Sequence, residues 1–354
     1  MLFNTFWPFI VSLLFSAFSI PIIIKVAAIK HLMDEPDSNR KVHSQKTPTL
    51  GGVAIFAGTI FAYSAFSDYV NASDIKFMNS ALILLFFAGI KDDILLLSPL
   101  KKLGVQLICA LLITVFGSLR ITSLWGMLGI TDISPLTGIA ITFLFVVALI
   151  NAFNLIDGVN GLAGGLGLIS ALFFGSWFAL TGAASLSILA FSLSGALVGF
   201  LIFNFKHGKI FMGDTGSMMI GFIISILVIK FIENNRLPGV ENSSFYIKAA
   251  PAVALSAILI PLLDMTRVFF NRIIHKKSPF AADRNHIHHI LLDLSLSHIH
   301  ISLLLYLFSF VFIGIGLYLK ELRSLSAILI LVGLATLALI FAISLKKHKT
   351  KPTK

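Results

Sequence analysis

The sequence has little charge for its length. Asp, Glu, Lys and Arg make up 12% of its 354 residues, about half of the roughly 25% found in soluble domains. The hydrophobic share of 57% excludes a disordered chain, because disordered chains are poor in apolar residues. Cys109 is the single cysteine, which excludes a disulfide scaffold. The net charge of +11 does not indicate nucleic-acid binding, since little soluble surface remains to carry a basic patch.

What the sequence has instead is long apolar runs. About eleven runs approach the length of a membrane-spanning helix, and barrel strands would alternate and be about half as long. We therefore predict an all-α, polytopic membrane protein that forms one integral-membrane domain over residues 1–354. The predicted spans are 4–24, 51–67, 77–90, 103–119, 136–153, 161–180, 185–203, 216–232, 249–270, 299–319 and 325–345.

Basic residues divide unequally between the two sets of loops. Most of the 27 Lys and Arg lie in the C-terminal tail and in the loops that follow odd-numbered spans. The positive-inside rule assigns those loops and the C-terminus to the cytoplasm and the N-terminus to the outside. No basic residue precedes the first span, so we interpret it as retained and not as a cleavable signal.

The polar residues that could carry chemistry lie almost entirely in these cytoplasmic loops, at about 25–50, 91–102, 151–161, 204–216 and 271–298. Several loops enriched on one membrane face predict a single composite site there.

Four acids stand out among these residues. Asp92 and Asp93 follow a span directly, and Asp157 and Asp214 sit in apolar, glycine-rich turns. Acids at helix ends are often solvated or cap the next helix, but carboxylates are expensive at membrane depth. Several acids with no matching intramembrane base indicate a divalent cation, and oxygen ligands favour Mg²⁺ or Mn²⁺ over Zn²⁺.

The segment around Asp214 reads FMGDTGS. Gly213 and Gly216 permit a sharp turn, and Thr215 and Ser217 open the next helix. We expect the N-terminus of that helix to favour phosphate, although an ordinary helix cap would have the same pattern.

Three histidines, His286, His288 and His289, follow Arg284 in the last cytoplasmic loop. A zinc site, a solvated loop and an anion cradle are the alternatives, and the neighbouring basic residues favour the cradle. Asp264 lies near the cytoplasmic end of the ninth span, where Arg267 at i+3 is its expected partner.

Five motifs occur in order along the chain: KTPTLGG (46–52), KDDILLLSP (91–99), NAFNLIDGVNGLAGG (151–165), FMGDTGS (211–217) and ADRNHIHH (282–289). Over about residues 40–290 the chain resembles the polyprenyl-phosphate N-acetylhexosamine-1-phosphate transferases. The HIHH form resembles the branch that uses UDP-N-acetylglucosamine or a related UDP-HexNAc. The branch that makes the first peptidoglycan lipid intermediate typically has three consecutive histidines.

The resemblance implies a reaction and a location. A HexNAc-1-phosphate, most simply GlcNAc-1-phosphate, moves from UDP-HexNAc to undecaprenyl phosphate, and UMP leaves. The product is a polyprenyl diphosphate sugar that initiates a cell-envelope glycan. The site faces the cytoplasm at the bacterial inner membrane and uses Mg²⁺, with Mn²⁺ as the alternative.

The resemblance also implies residue roles. Asp92 and Asp93 form the catalytic acidic pair, and Asp214 and Asp157 are metal ligands. The implied substrate contacts are Lys46, Lys101 or Lys102, Asn154, Asn160, Asn204, Phe211, Arg284, His286, His288 and His289. Asn160 stands where many members have a second Asp, so we expect a nucleotide contact there and no metal ligand.

Two other readings stay open from the sequence. The first is the same reaction with another UDP-sugar, such as the peptidoglycan precursor. The second is a secondary transporter, which would place its polar site near the bilayer midplane and not at one face. The expected partners are the two substrates and membrane lipid, with no nucleic acid; a homodimer is left open.

Overall fold

A computed structural model describes residues 2–32, 47–67, 73–237, 240, 243–276 and 285–349. Over these residues the chain is helical, with one isolated bridge between Ser123 and Asp132 and no strand. The helices are α1 (Leu2–Ile29), α2 (Gly51–Phe66), α3 (Ser73–Leu95), α4 (Pro99–Leu111), α5 (Pro135–Ile156), α6 (Leu162–Leu180), α7 (Ala184–Asn204), α8 (Gly213–Asn234), α9 (Ala250–Ile274), α10 (Ile287–Asp293), α11 (His298–Tyr318) and α12 (Ser324–Lys349). A π-helical turn, Leu112–Phe116, continues α4.

The prediction of a polytopic all-α membrane protein is confirmed. Among the described residues, nine helical segments are long and apolar enough to cross a membrane: α1, α4 with its π turn, α5–α9, α11 and α12. The apolar α2 is shorter, with 16 residues, and α3 is long but carries the acidic pair. Each of the eleven predicted spans coincides with a helix. Helices suit this setting because they satisfy their backbone groups internally.

Helix α8 forms the centre of the bundle. Nearly all of its side chains are buried, and it packs against α2, α3, α5, α6 and α9. Its start lies against α2 without intervening side chains, since a Cβ at Gly52 would come within 2.2 Å of the Gly216 nitrogen. This backbone contact joins the first and fourth sequence motifs.

The far end of α8 is held by a different set of residues. Glu233 accepts hydrogen bonds from the main-chain nitrogen of Thr122 at 2.9 Å and from its hydroxyl at 2.5 Å. The acidic motifs therefore lie together at one end of the bundle. The contact between Glu233 and Thr122 stabilises the opposite end.

The helices extend further than the apolar runs predicted, so the active-site loops are shorter. Asp92 and Asp93 lie in the last turn of α3, Lys101 and Lys102 in the first turns of α4, and Asp214 in the first turn of α8. Apolar periodicity locates the buried part of a span, but a helix continues through polar residues once it leaves the apolar layer. Helix ends hold side chains more rigidly than loops would.

Candidate active site

Three carboxylates meet where α3 ends and α8 begins. One oxygen from each of Asp92, Asp93 and Asp214 lies within 4.8 Å of the others. Asp92 is buried and the other two are partly buried. Like charges this close repel strongly in a medium of low dielectric constant, so the arrangement needs a cation or shared protons to persist.

Asp93 caps helix α8 from across the site. One of its oxygens accepts from the main-chain nitrogen of Asp214 at 2.7 Å. The other accepts from the Thr215 nitrogen at 3.2 Å and the Thr215 hydroxyl at 2.6 Å. The expectation that this N-terminus is open to phosphate is therefore wrong, because the Asp93 carboxylate already occupies the favourable anion position.

Gly213 allows this close approach. Its φ of +71° is in the left-handed region, which glycine adopts without strain. A Cβ there would lie 2.6 Å from either Asp93 oxygen and 2.2 Å from the Thr49 carbonyl oxygen. The glycine before Asp214 is thus required by its backbone conformation and by the neighbouring carboxylate.

Lys102 lies between the other two acids. Its ammonium nitrogen is 2.6 Å from Oδ2 of Asp92 and 2.6 Å from Oδ2 of Asp214. Lys101 is exposed. The sequence left open which of the two lysines contacts the site, and the structure brings only Lys102 to the acids.

Asp157 ends α5 beside this cluster. Burial, together with the negative charges of Asp214 and Asp93, raises the pKa of its carboxyl to about 7. Asp157 does not belong to the group of three mutually close carboxylates among the described residues. It therefore faces the site as a neighbouring acid, and its predicted role as a metal ligand stays a prediction.

The shifted pKa of Asp157 predicts a pH-dependent stability. The unfolded carboxyl ionises near its model value of 3.8 and the folded one near 7, so the folded state binds the extra proton and loses stability as pH rises between these values. In EDTA-treated protein we expect the apparent Tm to fall from about pH 5 to about pH 8, and to fall less in Asp157→Asn. Equal slopes for both proteins in a thermal-shift titration would reject this.

Two of the predicted asparagines, Asn154 and Asn204, form hydrogen bonds with residues that surround the acids. Both ends of the Asn204 amide are hydrogen-bonded, since its oxygen accepts from the Gly161 nitrogen at 2.6 Å and its nitrogen donates to the Ile210 carbonyl at 2.8 Å. Asn154 donates to the Ser217 hydroxyl at 3.0 Å. Asn204 thus joins the third motif to the residue that precedes the fourth, and its predicted substrate contact stays a prediction.

The side chain of Asn160 lies against Gly208, where a Cβ would come within 2.8 Å of its amide nitrogen. The main-chain carbonyl oxygen of Asn160 accepts a hydrogen bond from the Ser302 hydroxyl at 2.7 Å. The next residue, Gly161, packs with Gly165 against Tyr306, where a larger side chain would not fit. No contact of Asn160 with the three acids is seen among the described residues.

Phe211 lies beside the chain that leads into α2. Its nitrogen donates to the Pro48 carbonyl, and its carbonyl accepts from the Gly51 nitrogen, at 2.8 and 2.9 Å. Its side chain is partly buried. Lys46 precedes this segment and lies outside the described residues.

A cavity of about 410 Å³ opens onto the acids. The three carboxylates and Gly213 form its polar wall, and the rest of its lining comes from His31, Leu32, Thr49, Leu50, Ile94 and Leu96. Its lining combines three carboxylates with apolar side chains, which suits an anionic head group on an apolar chain.

The segment that carries His286, His288 and His289, called the histidine segment below, contacts the turn after α5 at Gly158. His288 is 2% exposed, and a Cβ on Gly158 would lie 2.3 Å from its Nε2. Burial, together with the neighbouring His289, lowers the pKa of His288 to about 3. His288 is therefore neutral at pH 7, so it can donate one hydrogen bond but adds no positive charge to an anion cradle.

The three histidines do not form a metal site. Within the part of the chain that the structure describes, the three acids are the one group of at least three potential ligands close enough to share an ion. His288 Nδ1 is buried and has no hydrogen-bond partner there, which leaves it available to a bound group. Arg284 lies outside the described residues.

Asp264 is the site residue whose partner the sequence missed. Arg267 does approach it, with Nη2 3.5 Å from Oδ1. Its hydrogen bonds, however, come from His286 Nδ1 at 2.8 Å and the Ile287 nitrogen at 2.7 Å. These partners are 22 and 23 residues away, so no local spacing rule predicts them.

The donor set fits Mg²⁺ or Mn²⁺. Asp92 and Asp214 each direct an oxygen at Lys102, so a cation already occupies the position between them, and hard divalent ions bind such carboxylate oxygens. Both oxygens of Asp93 accept backbone or hydroxyl hydrogen bonds from α8. Oδ1 of Asp92 likewise accepts from the Leu97 nitrogen at 2.5 Å, so the oxygens of Asp92 and Asp214 that face Lys102 are the ones that could hold a metal.

Comparisons with known proteins identify relatives of this chain. Residues 75–232 match Glycosyl transferase family 4. The chain is 31% identical over 274 residues to the undecaprenyl-phosphate alpha-N-acetylglucosaminyl 1-phosphate transferase of Escherichia coli K12, covering 76% of this chain and 71% of that protein. It is 35% identical over 295 residues to a probable undecaprenyl-phosphate N-acetylglucosaminyl 1-phosphate transferase of Bacillus subtilis, covering 81% and 77%. The Salmonella typhi relative is 31% identical over 285 residues, covering 79% and 74%.

Proposed function

The chain belongs to glycosyl transferase family 4, and from that premise we propose that it transfers GlcNAc-1-phosphate from UDP-GlcNAc to undecaprenyl phosphate. The observation that carries the proposal is the cluster of Asp92, Asp93 and Asp214 with Lys102, beside a cavity lined by these carboxylates and by apolar side chains. The relatives' names support the acceptor and the transferred group.

The acceptor phosphate needs no strong base in this site. A phosphate monoester has a second pKa near about 6, so at pH 7 it is mostly dianionic. One of its oxygens attacks the β-phosphorus of the donor, a new P–O bond forms, and the bond from that phosphorus to the bridging oxygen of UMP breaks. The chain's task is to position two anions and offset their repulsion.

Lys102 and the acids share that task. Asp92 and Asp214 would hold Mg²⁺, which when bound neutralises phosphate charge and polarises the reacting phosphoryl group. Asp93 fixes the first turn of α8 so that Asp214 keeps its position. Lys102 supplies a cation within reach of the two metal-holding carboxylates, and in the loaded site it is available to a phosphate oxygen.

The histidine segment supports the donor end of the proposal. His288 lies against the turn that carries Asp157, and its Nδ1 has no partner among the described residues. A diphosphate is rich in acceptor oxygens, so a neutral imidazole that donates a hydrogen bond suits it. Phe211 and Asn160 stay predicted nucleotide contacts.

The donor is tested by a panel of UDP-sugars. Purified protein is incubated with undecaprenyl phosphate, Mg²⁺ and each of UDP-GlcNAc, UDP-GalNAc, UDP-glucose and the peptidoglycan precursor UDP-MurNAc-pentapeptide. We expect UMP release with UDP-GlcNAc, and none after EDTA. Preference for UDP-MurNAc-pentapeptide would favour the peptidoglycan alternative. UMP release that EDTA does not reduce would show that the reaction needs no divalent metal.

We also propose that the site faces the cytoplasm of the bacterial inner membrane, because most basic residues lie in the loops at that end. Ser98, in the exposed turn between α3 and α4, and Ser243, exposed at the other end, provide the test. In a Cys109→Ala background, Ser98→Cys should react with an impermeant maleimide only after the membrane is opened, and Ser243→Cys in intact cells. Labelling of both from the same side would overturn the orientation.

A further inference from the structure

Helix α9 carries a buried carboxylate that the reaction described above does not use. Asp264 is 3% exposed, and both of its oxygens accept hydrogen bonds from the start of the histidine segment. Oδ2 lies 2.8 Å from His286 Nδ1, and Oδ1 accepts from the Ile287 nitrogen at 2.7 Å. The first residue of α10 and the histidine before it are thus attached to α9.

Arg267 completes this attachment. Its guanidinium lies 3.5 Å from Oδ1 of Asp264 and donates to the carbonyl oxygen of Asn285. Two residues of α9, one turn apart, therefore hold three consecutive residues, 285–287. The cluster has a buried acid as its centre, and a buried carboxylate is costly unless its oxygens are satisfied in this way.

The contact with Asp264 selects one form of the imidazole. An ionised carboxylate only accepts hydrogen bonds, so the proton of a neutral His286 ring lies on Nδ1 when that nitrogen faces Oδ2. Nε2 is then the nitrogen left for another partner. Carboxylates behind histidine ligands set tautomer and ring orientation in the same way in other sites.

The ring of His286 leads towards the active site. It stacks on the ring of His288, with centroids 5.6 Å apart and planes at 4°, and His288 lies against Gly158 next to Asp157. A change in the orientation of His286 would therefore move the ring that reaches the site.

We propose that Asp264 is a positioning residue: it fixes His286 in the Nδ1–H tautomer and anchors the start of α10, so that the histidine segment meets the donor diphosphate in one orientation. The contact with the donor diphosphate rests on the proposed function. The tautomer of His286 and the attachment of α10 to α9 do not. Two measurements separate them.

The first measurement is independent of activity. Protein labelled with ¹⁵N-histidine is reconstituted in lipid, and the His286 resonances are assigned by their loss in His286→Gln. In the wild type we expect a protonated Nδ1 and, at neutral ring charge, an unprotonated Nε2. In Asp264→Asn we expect this preference to weaken. An Nε2–H ring in the wild type, or an unchanged ring in Asp264→Asn, overturns the proposal, and the wild-type spectrum decides even if the variant does not fold.

The second measurement is a double-mutant cycle on UDP-GlcNAc use. Asp264→Asn should raise the donor KM by about 10-fold or more and change kcat less, the pattern of a lost binding contact. In a His286→Ala background the same change should have little further effect, because the residues act as one unit. Ser256→Ala, a buried substitution on the same helix whose hydroxyl donates to the Val253 carbonyl, controls for packing of α9 and should stay within about 2-fold.

The outcomes are distinguishable. An Asp264→Asn effect that is equally large without His286 means that Asp264 acts through packing, which overturns the positioning role. The expected tautomer together with no UDP-GlcNAc binding by the wild type rejects the proposed donor and leaves the Asp264–His286 anchor standing. Coupling in the cycle together with the expected tautomer supports both.

Discussion

Replacing Asp214 by Asn is expected to lower turnover by at least about 10²-fold, on the order of losing one electrostatic contact to a developing anion. The change keeps the side-chain volume and removes the charge. Asp214 has one oxygen 2.6 Å from Lys102 and lies within 4.8 Å of Asp92 and Asp93, so the variant removes a charge at the centre of the cluster. The main-chain nitrogen that Asp93 caps is retained, so α8 should still form.

The measurement pairs turnover with Mn²⁺ binding followed by electron paramagnetic resonance. Asp132→Asn is the matched control, because it is the same substitution at the exposed opposite end, where the side chain is 72% exposed. We expect the control to stay within about 2-fold of wild type. A folded Asp214→Asn protein with near-normal turnover and unchanged Mn²⁺ binding would show that Asp214 holds no metal.

Replacing Lys102 by Met should be similarly severe, again at least about 10²-fold. The substitution leaves two carboxylate oxygens facing each other without the ammonium that lies 2.6 Å from each. It also removes the cation that lies between Asp92 and Asp214. Met keeps much of the chain length, so lost packing contributes little.

Lys101→Met is the neighbouring control. Lys101 is exposed, so its replacement should change turnover by no more than about 3-fold. The two variants have equal net charge, and the same substitution is made one residue apart. Equal losses in both would mean that general positive charge matters and that the contact between Lys102 and the acids does not.

The membrane fold could be predicted from the composition, and the approximate position of each span from the long apolar runs. Helix ends were predicted less well. Asp92 and Asp93 follow the predicted span of 77–90, yet they belong to α3, which continues to Leu95. Hydropathy marks where a helix is apolar, whereas its end is decided by backbone hydrogen bonds that polar residues satisfy equally well.

The acids of the site could be identified from the sequence, but the different contacts that each of them makes could not. Asp92 and Asp93 look alike in the sequence, yet Asp93 caps α8 while Asp92 contacts Lys102. That difference depends on which side of α3 faces α8 and on the left-handed Gly213, which are properties of tertiary packing. The contact of Asp264 with His286 is likewise a property of how α9 meets the chain after it.

The central claim is that a sugar phosphate moves, and not a sugar alone. The direct measurement is the mass of the lipid formed from undecaprenyl phosphate and UDP-GlcNAc, together with the identity of the released nucleotide. The account predicts that the lipid gains GlcNAc and one phosphate and that UMP appears in equal amount. A lipid that gains GlcNAc alone, with release of UDP, would contradict it.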